Sequence, residues 1–207
     1  MAKRPRPVRD RIIDAALDLA AEQPWRDIGL GQIVAASKQP LAKIHEQFAS
    51  KTAIVMAVME RTSAAMMAGA ASHSDDESPR DRLLDVVMLR LDELAPHKAA
   101  IRSIFRDLPA DPLSVLCLAP GFMRAMAWTL ESAGISASGL KGMLRTKGLA
   151  AIYVGAISVW LNDDSEDQGK TLAFLDRRLK HAERAAKFMD RTCLPRRRRT
   201  FEDTDTP

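Results

Sequence analysis

The sequence predicts an all-α protein, with a small helix-turn-helix head and a larger helical body. Three observations predict it. Strand signals are nearly absent, and Ala, Leu, Met, Arg, Lys and Glu, which favour helix, dominate the chain. Apolar residues recur three and four apart along most of its length. Near the N-terminus, two short helical segments sit between two long ones, and the second junction reads Phe48-Ala49-Ser50-Lys51. This is the outline of a module that places one helix in a DNA major groove.

Each element has a local chemical reason. The first helix is expected at about residues 8–22, with Ile12, Ile13, Ala16, Leu17 and Ala20 on one face and Asp14 and Asp18 on the other. Gln23-Pro24 ends it, because a residue before proline is driven out of the helical region. Trp25 and Ile28 are expected to pack onto the head's core. A second helix covers about 30–37, with Ile33 and Val34 inward. A third covers about 40–47, with Pro40 at its first position and Leu41, Ile44 and Phe48 as its apolar face. Ser50 is placed to cap a long helix reaching about residue 71.

Residues 72–79 (SHSDDESP) form a polar loop and separate this module from the rest of the chain. Ser78-Pro79 opens a helix striped by Leu83, Leu84, Val87, Leu91 and Leu94. Pro96, Pro109, Pro112 and Pro120 punctuate a run of shorter helices, and residues 134–138 make another break. Two long helices close the body, at about 139–161 and 168–192. In the last, Leu172, Leu175, Leu179, Ala182, Ala186 and Met189 form a seam suited to a helix of the same chain or of a partner. Nine helices are expected in all, divided into a head (1–50), a body (51–195) and a tail (196–207).

Charge bounds the partners. The 207-residue chain carries a formal charge of only +4, but its ends are basic. Lys3, Arg4, Arg6, Arg9 and Arg11 face one acid, Asp10; residues 191–199 hold Arg191 and Arg196 to Arg199 and no acid. Two basic ends on a near-neutral body suit a polyanion, either nucleic acid or anionic lipid, or are solvated tails. Cys117 and Cys193 lie far apart and read as small core residues in a reducing compartment. No secretory signal is visible, and the longest apolar stretch, 148–161, is too short to span a bilayer. A cytoplasmic location is expected.

Residues 33–54, I-V-A-A-S-K-Q-P-L-A-K-I-H-E-Q-F-A-S-K-T-A-I, resemble the TetR family of bacterial repressors. The family pattern, I-A-x-x-A-G-V-S-x-G-x-L-Y-x-H-F-x-S-K-E-x-L, aligns without a gap, and Ile33, Ile44, Phe48, Ser50 and Lys51 match in kind and place. The resemblance implies a DNA-binding head, a connecting helix, and a ligand-binding body that forms a homodimer through its last two helices. The departures fall on the DNA-facing positions. The turn's A-G-V-S is Ser37-Lys38-Gln39-Pro40 here, the family's second glycine is Ala42, its tyrosine is His45 and the following histidine is Gln47. A lysine costs more than glycine in a left-handed turn.

The C-terminal half resembles a second family. Residues 90–97 (RLDELAPH), 149–153 (LAAIY), 160–166 (WLNDDSE) and 173–179 (AFLDRRL) are similar to the lipid-binding accessory protein of ubiquinone biosynthesis. That family has the TetR fold without DNA binding, and holds isoprenoid lipids at a membrane surface. Its aromatic-rich block before the eighth helix is replaced here by GISASGLKGMLR at 134–145.

The candidate DNA-reading residues are therefore Lys38, Gln39, Lys43, His45, Gln47 and Lys51, which carry the donors and charge that meet phosphates and base edges. Glu46 places an opposing charge on the same helix. The candidate ligand residues are Met88, Met123, Met126, Trp128 and Tyr153, with Trp160, as large or adaptable groups on helices expected to surround a cavity; plain core is the other reading. Asp163, Asp164, Glu166 and Asp167 read as a hydrated helix terminus. His45, His73, His97 and His181 lack a metal-ligand spacing. There is no Gly-rich phosphate loop and no nucleophile with an identifiable base, so neither enzyme nor cofactor is expected. The leading expectation is a transcription regulator that binds an operator as a homodimer and responds to a small apolar ligand. A lipid-binding accessory protein is the alternative, and a purely structural dimer a third.

Overall fold

The computed structural model describes residues 6–70 and 77–193, with side chains to residue 188. Lys3, Arg4, His73, the Arg196–Arg199 run and the acidic tail lie outside the described residues, as do the side chains of Met189, Arg191 and Cys193. The described chain is helical throughout: α1 (Val8–Glu22), α2 (Leu30–Ser37), α3 (Leu41–Gln47), α4 (Lys51–Ala70), α5 (Pro79–Leu94), α6 (Lys98–Asp107), α7 (Pro112–Ser132), α8 (Gly139–Trp160) and α9 (Gly169–Cys193). Short 3-10 turns at Trp25–Asp27, Ala95–His97 and Leu108–Ala110 join some of them.

The caps are where the sequence places them. Ser50 Oγ accepts from the Ala53 amide at 3.2 Å to open α4, and Ser78 Oγ accepts from the Asp81 amide at 3.2 Å to open α5. Each satisfies one of the donors a helix start leaves free. The expected stripe of α1 is buried, and Trp25 and Ile28 close over the head's core. α3 starts one residue later than expected, because extended Pro40 (φ −63°, ψ 149°) caps it from outside.

Two expectations need correction. Pro120 does not break the chain but sits inside α7. Both Pro120 and Leu116, whose carbonyl it leaves without a donor, are at exposed positions, so water can take the lost bond; the ring still costs about 3 kcal/mol, which the packing of α7 against α4 and α8 outweighs. The run read as short helices therefore contains a 21-residue helix. That helix is long and apolar enough to cross a membrane by length and composition, and it packs against α4 and α8. Cys117 is exposed rather than buried, because the first turns of α7 project beyond the core along with Leu113 and Leu116.

α4 runs through the middle of the molecule, against α1 on one side and α5 and α7 on the other. α8 and α9 pack as a hairpin. Of the α9 seam, Leu175 and Leu179 are buried in the same chain, while Leu172 and Ala182 remain exposed. The turn between α8 and α9 is not wholly hydrated. Asp163 is buried, and its Oδ2 accepts from the Thr171 amide (2.8 Å) and hydroxyl (2.7 Å). Hydrogen bonds hold its pKa well below the ordinary carboxylate value, the one from Ser165 contributing most.

α6 ties three regions together. Ser103 Oγ accepts from the Trp25 amide (2.9 Å) and donates to Gln23 O (3.1 Å). Asp107 Oδ2 accepts from the Arg26 amide at 3.0 Å. Toward the other end, Lys98 Nζ donates to Asp163 O at 2.6 Å and Arg102 donates to Leu161 O.

Candidate nucleic-acid interface and ligand cavity

The head is assembled around a few apolar anchors. Ile12, Ile13, Leu17, Ile28, Ile33 and Ile44 are almost wholly buried, and each contributes roughly 1.5–3 kcal/mol by leaving water. Ile44 and Phe48 fix α3, so Ala42, Lys43, His45, Glu46 and Gln47 all remain exposed. Leu41, expected inward, is 58% exposed, because it opens α3 one turn before Ile44 and projects past the core.

The turn between α2 and α3 takes the conformation its family counterpart reaches with glycine. Lys38 is left-handed (φ 54°, ψ 33°). The Gln39 side-chain amide donates back to Lys38 O (2.9 Å) and Ser37 O (3.3 Å), which holds the turn and uses the donors expected for DNA. At the start of α2 the Gly29 amide donates to Gln32 Oε1 at 2.7 Å.

The six candidate DNA-reading residues are thus divided. Lys38, His45 and Gln47 are exposed. Lys43 is half-exposed and pairs with Glu46 at 2.7 Å, a surface ion pair worth about 1 kcal/mol or less. Lys51 points inward. Its Nζ donates to Trp25 O (2.7 Å) and Ile28 O (2.9 Å) and lies 4.7 Å from the centre of the Trp25 ring. Partial burial lowers its pKa, opposed by Asp111, Asp107 and Asp27. This corrects its expected role: Lys51 closes the head's own backbone.

The charge around this helix is balanced among the described residues. Residues 1–50 hold eight basic and six acidic side chains, and the described part, 6–50, holds six of each. Arg6 pairs with Asp14 (2.7 Å) and Arg9 with Glu60 (2.8 Å). Within α3 and the turn before it, the positive charge is carried by Lys38 and Lys43.

In the body, a cavity of about 340 Å³ lies between α4, α5, α6, α7 and α8. Its wall is almost entirely apolar, including Val58, Ile104, Phe105, Leu118 and Phe122. Val115 and Val154 line it and are both exposed, so they mark its opening. The volume lies at the low end of the roughly 300–1,000 Å³ of small-molecule sites. A cleft of about 360 Å³ bounded by α1, α4 and α5 is more open and is lined by several charges, among them Arg6 and Arg61, both paired with Asp14 (2.7 and 2.6 Å).

Of the candidate ligand residues, the cavity receives Tyr153. Met126 and Trp160 are fully buried core. Met88 and Met123 pack against that core without lining the cavity, and Trp128 is half-exposed on a surface groove with Met56 and Met67. The sequence reading does not single out Arg90, which lines the cavity and is 2% exposed. A signal for it exists in the sequence: Arg90 stands in register with Leu83, Val87 and Leu94, a charge within an apolar stripe.

The family model described as COQ9 matches residues 145–186. No curated protein matches the chain. Among solved structures, the chain is similar to a TetR transcriptional regulator from Nitrosomonas europaea ATCC 19718, at 26% identity and a TM-score of 0.69, covering 86% of this chain and 99% of that one. It is also similar to a TetR transcriptional regulator from Rhodococcus sp. RHA1 (19% identity, TM-score 0.63, 84% and 94%) and to Salmonella enterica GusR (17% identity, TM-score 0.61, 89% and 98%). The fold is that of TetR-family regulators.

Proposed function

We propose, from a fold shared with TetR-family regulators, that this protein is a transcription regulator whose α3 meets duplex DNA and whose body cavity receives the effector. The observation that supports it is the presentation of α3. Ile44 and Phe48 are locked into the core, and Lys38, Lys43, His45 and Gln47 stand clear of it. Phosphate contacts from the two lysines would supply affinity, and Gln47 and His45 would read base edges. Two such helices need a homodimer to match a palindromic operator. Leu140, Met143 and Leu144 of α8 and Leu172 of α9 are uncovered, which suits pairing through the last two helices.

Binding to random duplex DNA, measured by fluorescence anisotropy at low and moderate salt, tests this. Affinity is expected to fall steeply with salt and to be weakened by Lys38→Ala and by Lys43→Ala. Indifference to duplex DNA at low salt overturns it.

The COQ9 match favours a second reading, a lipid-binding accessory protein that keeps the fold without reading DNA. The matched segment contains Tyr153 of the cavity wall and the Asp163 turn. Such a protein floats with anionic liposomes and ignores duplex DNA; a regulator does the reverse.

A further inference from the structure

The guanidinium of Arg90 is buried, and no carboxylate of the described residues pairs with it. Among the described residues, Nη1 donates to Ser63 Oγ at 2.8 Å and Nε donates to the Tyr153 hydroxyl at 3.2 Å. The guanidinium carbon also lies 5.5 Å from the centre of the Tyr153 ring. Each of these partners is neutral. Burying a charge without a counter-charge costs several kcal/mol, and buried charges are ordinarily paired. Arg90 lines a cavity whose wall is otherwise almost wholly apolar, so the missing negative charge has one place to come from.

We propose that the cavity binds a monoanionic amphiphile, a carboxylic acid with an apolar tail, and that Arg90 pairs with its carboxylate. Two of the five guanidinium donors are used by the protein, and Nη2 is left over to form a fork with the second hydrogen of Nη1. A planar fork matches the two oxygens of a carboxylate, and one positive charge balances one negative charge. The Tyr153 hydroxyl accepts from Arg90, so its own hydrogen is available to a ligand oxygen. Ser63 donates to Met59 O at 2.8 Å and is thereby held as an acceptor for Arg90. Ile104, Phe105, Leu118 and Phe122 would receive the tail. This inference rests on reading the cavity as an effector site, and is independent of whether α3 binds DNA.

Decanoate and decanol share a tail and differ at the head, so calorimetric titration of the full-length protein with each separates the contributions. Decanoate is expected to bind the wild type at least about tenfold more tightly, the scale of one charge-assisted hydrogen bond. Arg90→Met should remove that advantage and leave decanol unchanged. Tyr153→Phe should weaken decanoate by a few-fold, and provides a second readout in which the arginine is retained. Arg90→Met is expected to melt no lower than the wild type, since it removes an unpaired charge; a large drop in melting temperature would identify Arg90 as a structural element and overturn the proposal. Equal binding of the two probes, or decanoate affinity indifferent to both substitutions, overturns the pairing while leaving an apolar effector site. Failure of both probes to bind the wild type overturns the effector reading and the inference together.

Discussion

Lys51 and Trp25 lock the base of the head: the ammonium sits 4.7 Å from the centre of the indole ring and donates 2.7 Å to that residue's own carbonyl. A second bond, to Ile28 O at 2.9 Å, closes the same short segment. The 3-10 turn at Trp25–Asp27 is thus tied down by a side chain that begins α4. Lys51→Met is expected to lower stability by about 1–3 kcal/mol, because it leaves the partly buried Ile28 O without its lysine donor and removes one of the two donors to Trp25 O, the other being the Ile28 amide. Chemical denaturation checks this. DNA affinity per folded molecule should change far less than for Lys43→Ala; an effect confined to DNA binding, with stability intact, would contradict the inward placement.

Lys38 occupies a left-handed position that a side chain adopts at a cost of roughly 1–2 kcal/mol. Lys38→Gly relieves that cost, offset in part by glycine's greater freedom in the unfolded chain. A gain of up to about 1 kcal/mol is expected by denaturation. The same substitution removes one of two exposed lysines at the reading edge. Stability and DNA affinity should therefore move in opposite directions, and a fall in both would show that Lys38 has a packing role.

Asp163 makes acid sensitivity local. Its folded pKa lies below the ordinary value of about 3.9, so across the acid range the unfolded state takes up more protons. The stability this contributes is fully present above about pH 5, and is lost as the pH falls toward the folded pKa. Asp163→Asn removes that component and leaves a buried amide facing donors, at about 1–3 kcal/mol near neutral pH. The difference in melting temperature between variant and wild type should narrow from pH 7 to about pH 3. A difference constant with pH would show that the carboxylate's ionisation does not matter to the turn.

Most of the fold is legible in periodicity and caps. Val8 to Glu22 and Leu30 to Ser37 fall where the apolar spacing puts them, because each helix buries one face against a simple core. Proline is the misleading signal in α7: it disfavours any helix interior, but here the packing of α7 against α4 and α8 outweighs the local penalty at exposed Pro120. The cavity is much less legible. Large, adaptable side chains suggest a pocket, yet Met126 fills core and the wall is made by Val, Ile, Leu and Phe, indistinguishable in sequence from any interior. Lys51 misleads for a related reason, since a lysine near α3 carries the same letter whether it points to solvent or caps a neighbouring carbonyl.

The placement of α6 has a mechanical consequence. The helix is bolted to the head through Ser103 and Asp107 and to the α8–α9 turn through Lys98 and Arg102, and its intervening face, with Ile104, forms one wall of the cavity. A strut pinned at both ends has little slack. If the proposed effector site is real, anything that wedges against its middle would press on Trp25 and Arg26, and filling the chamber would reach α3 by that route.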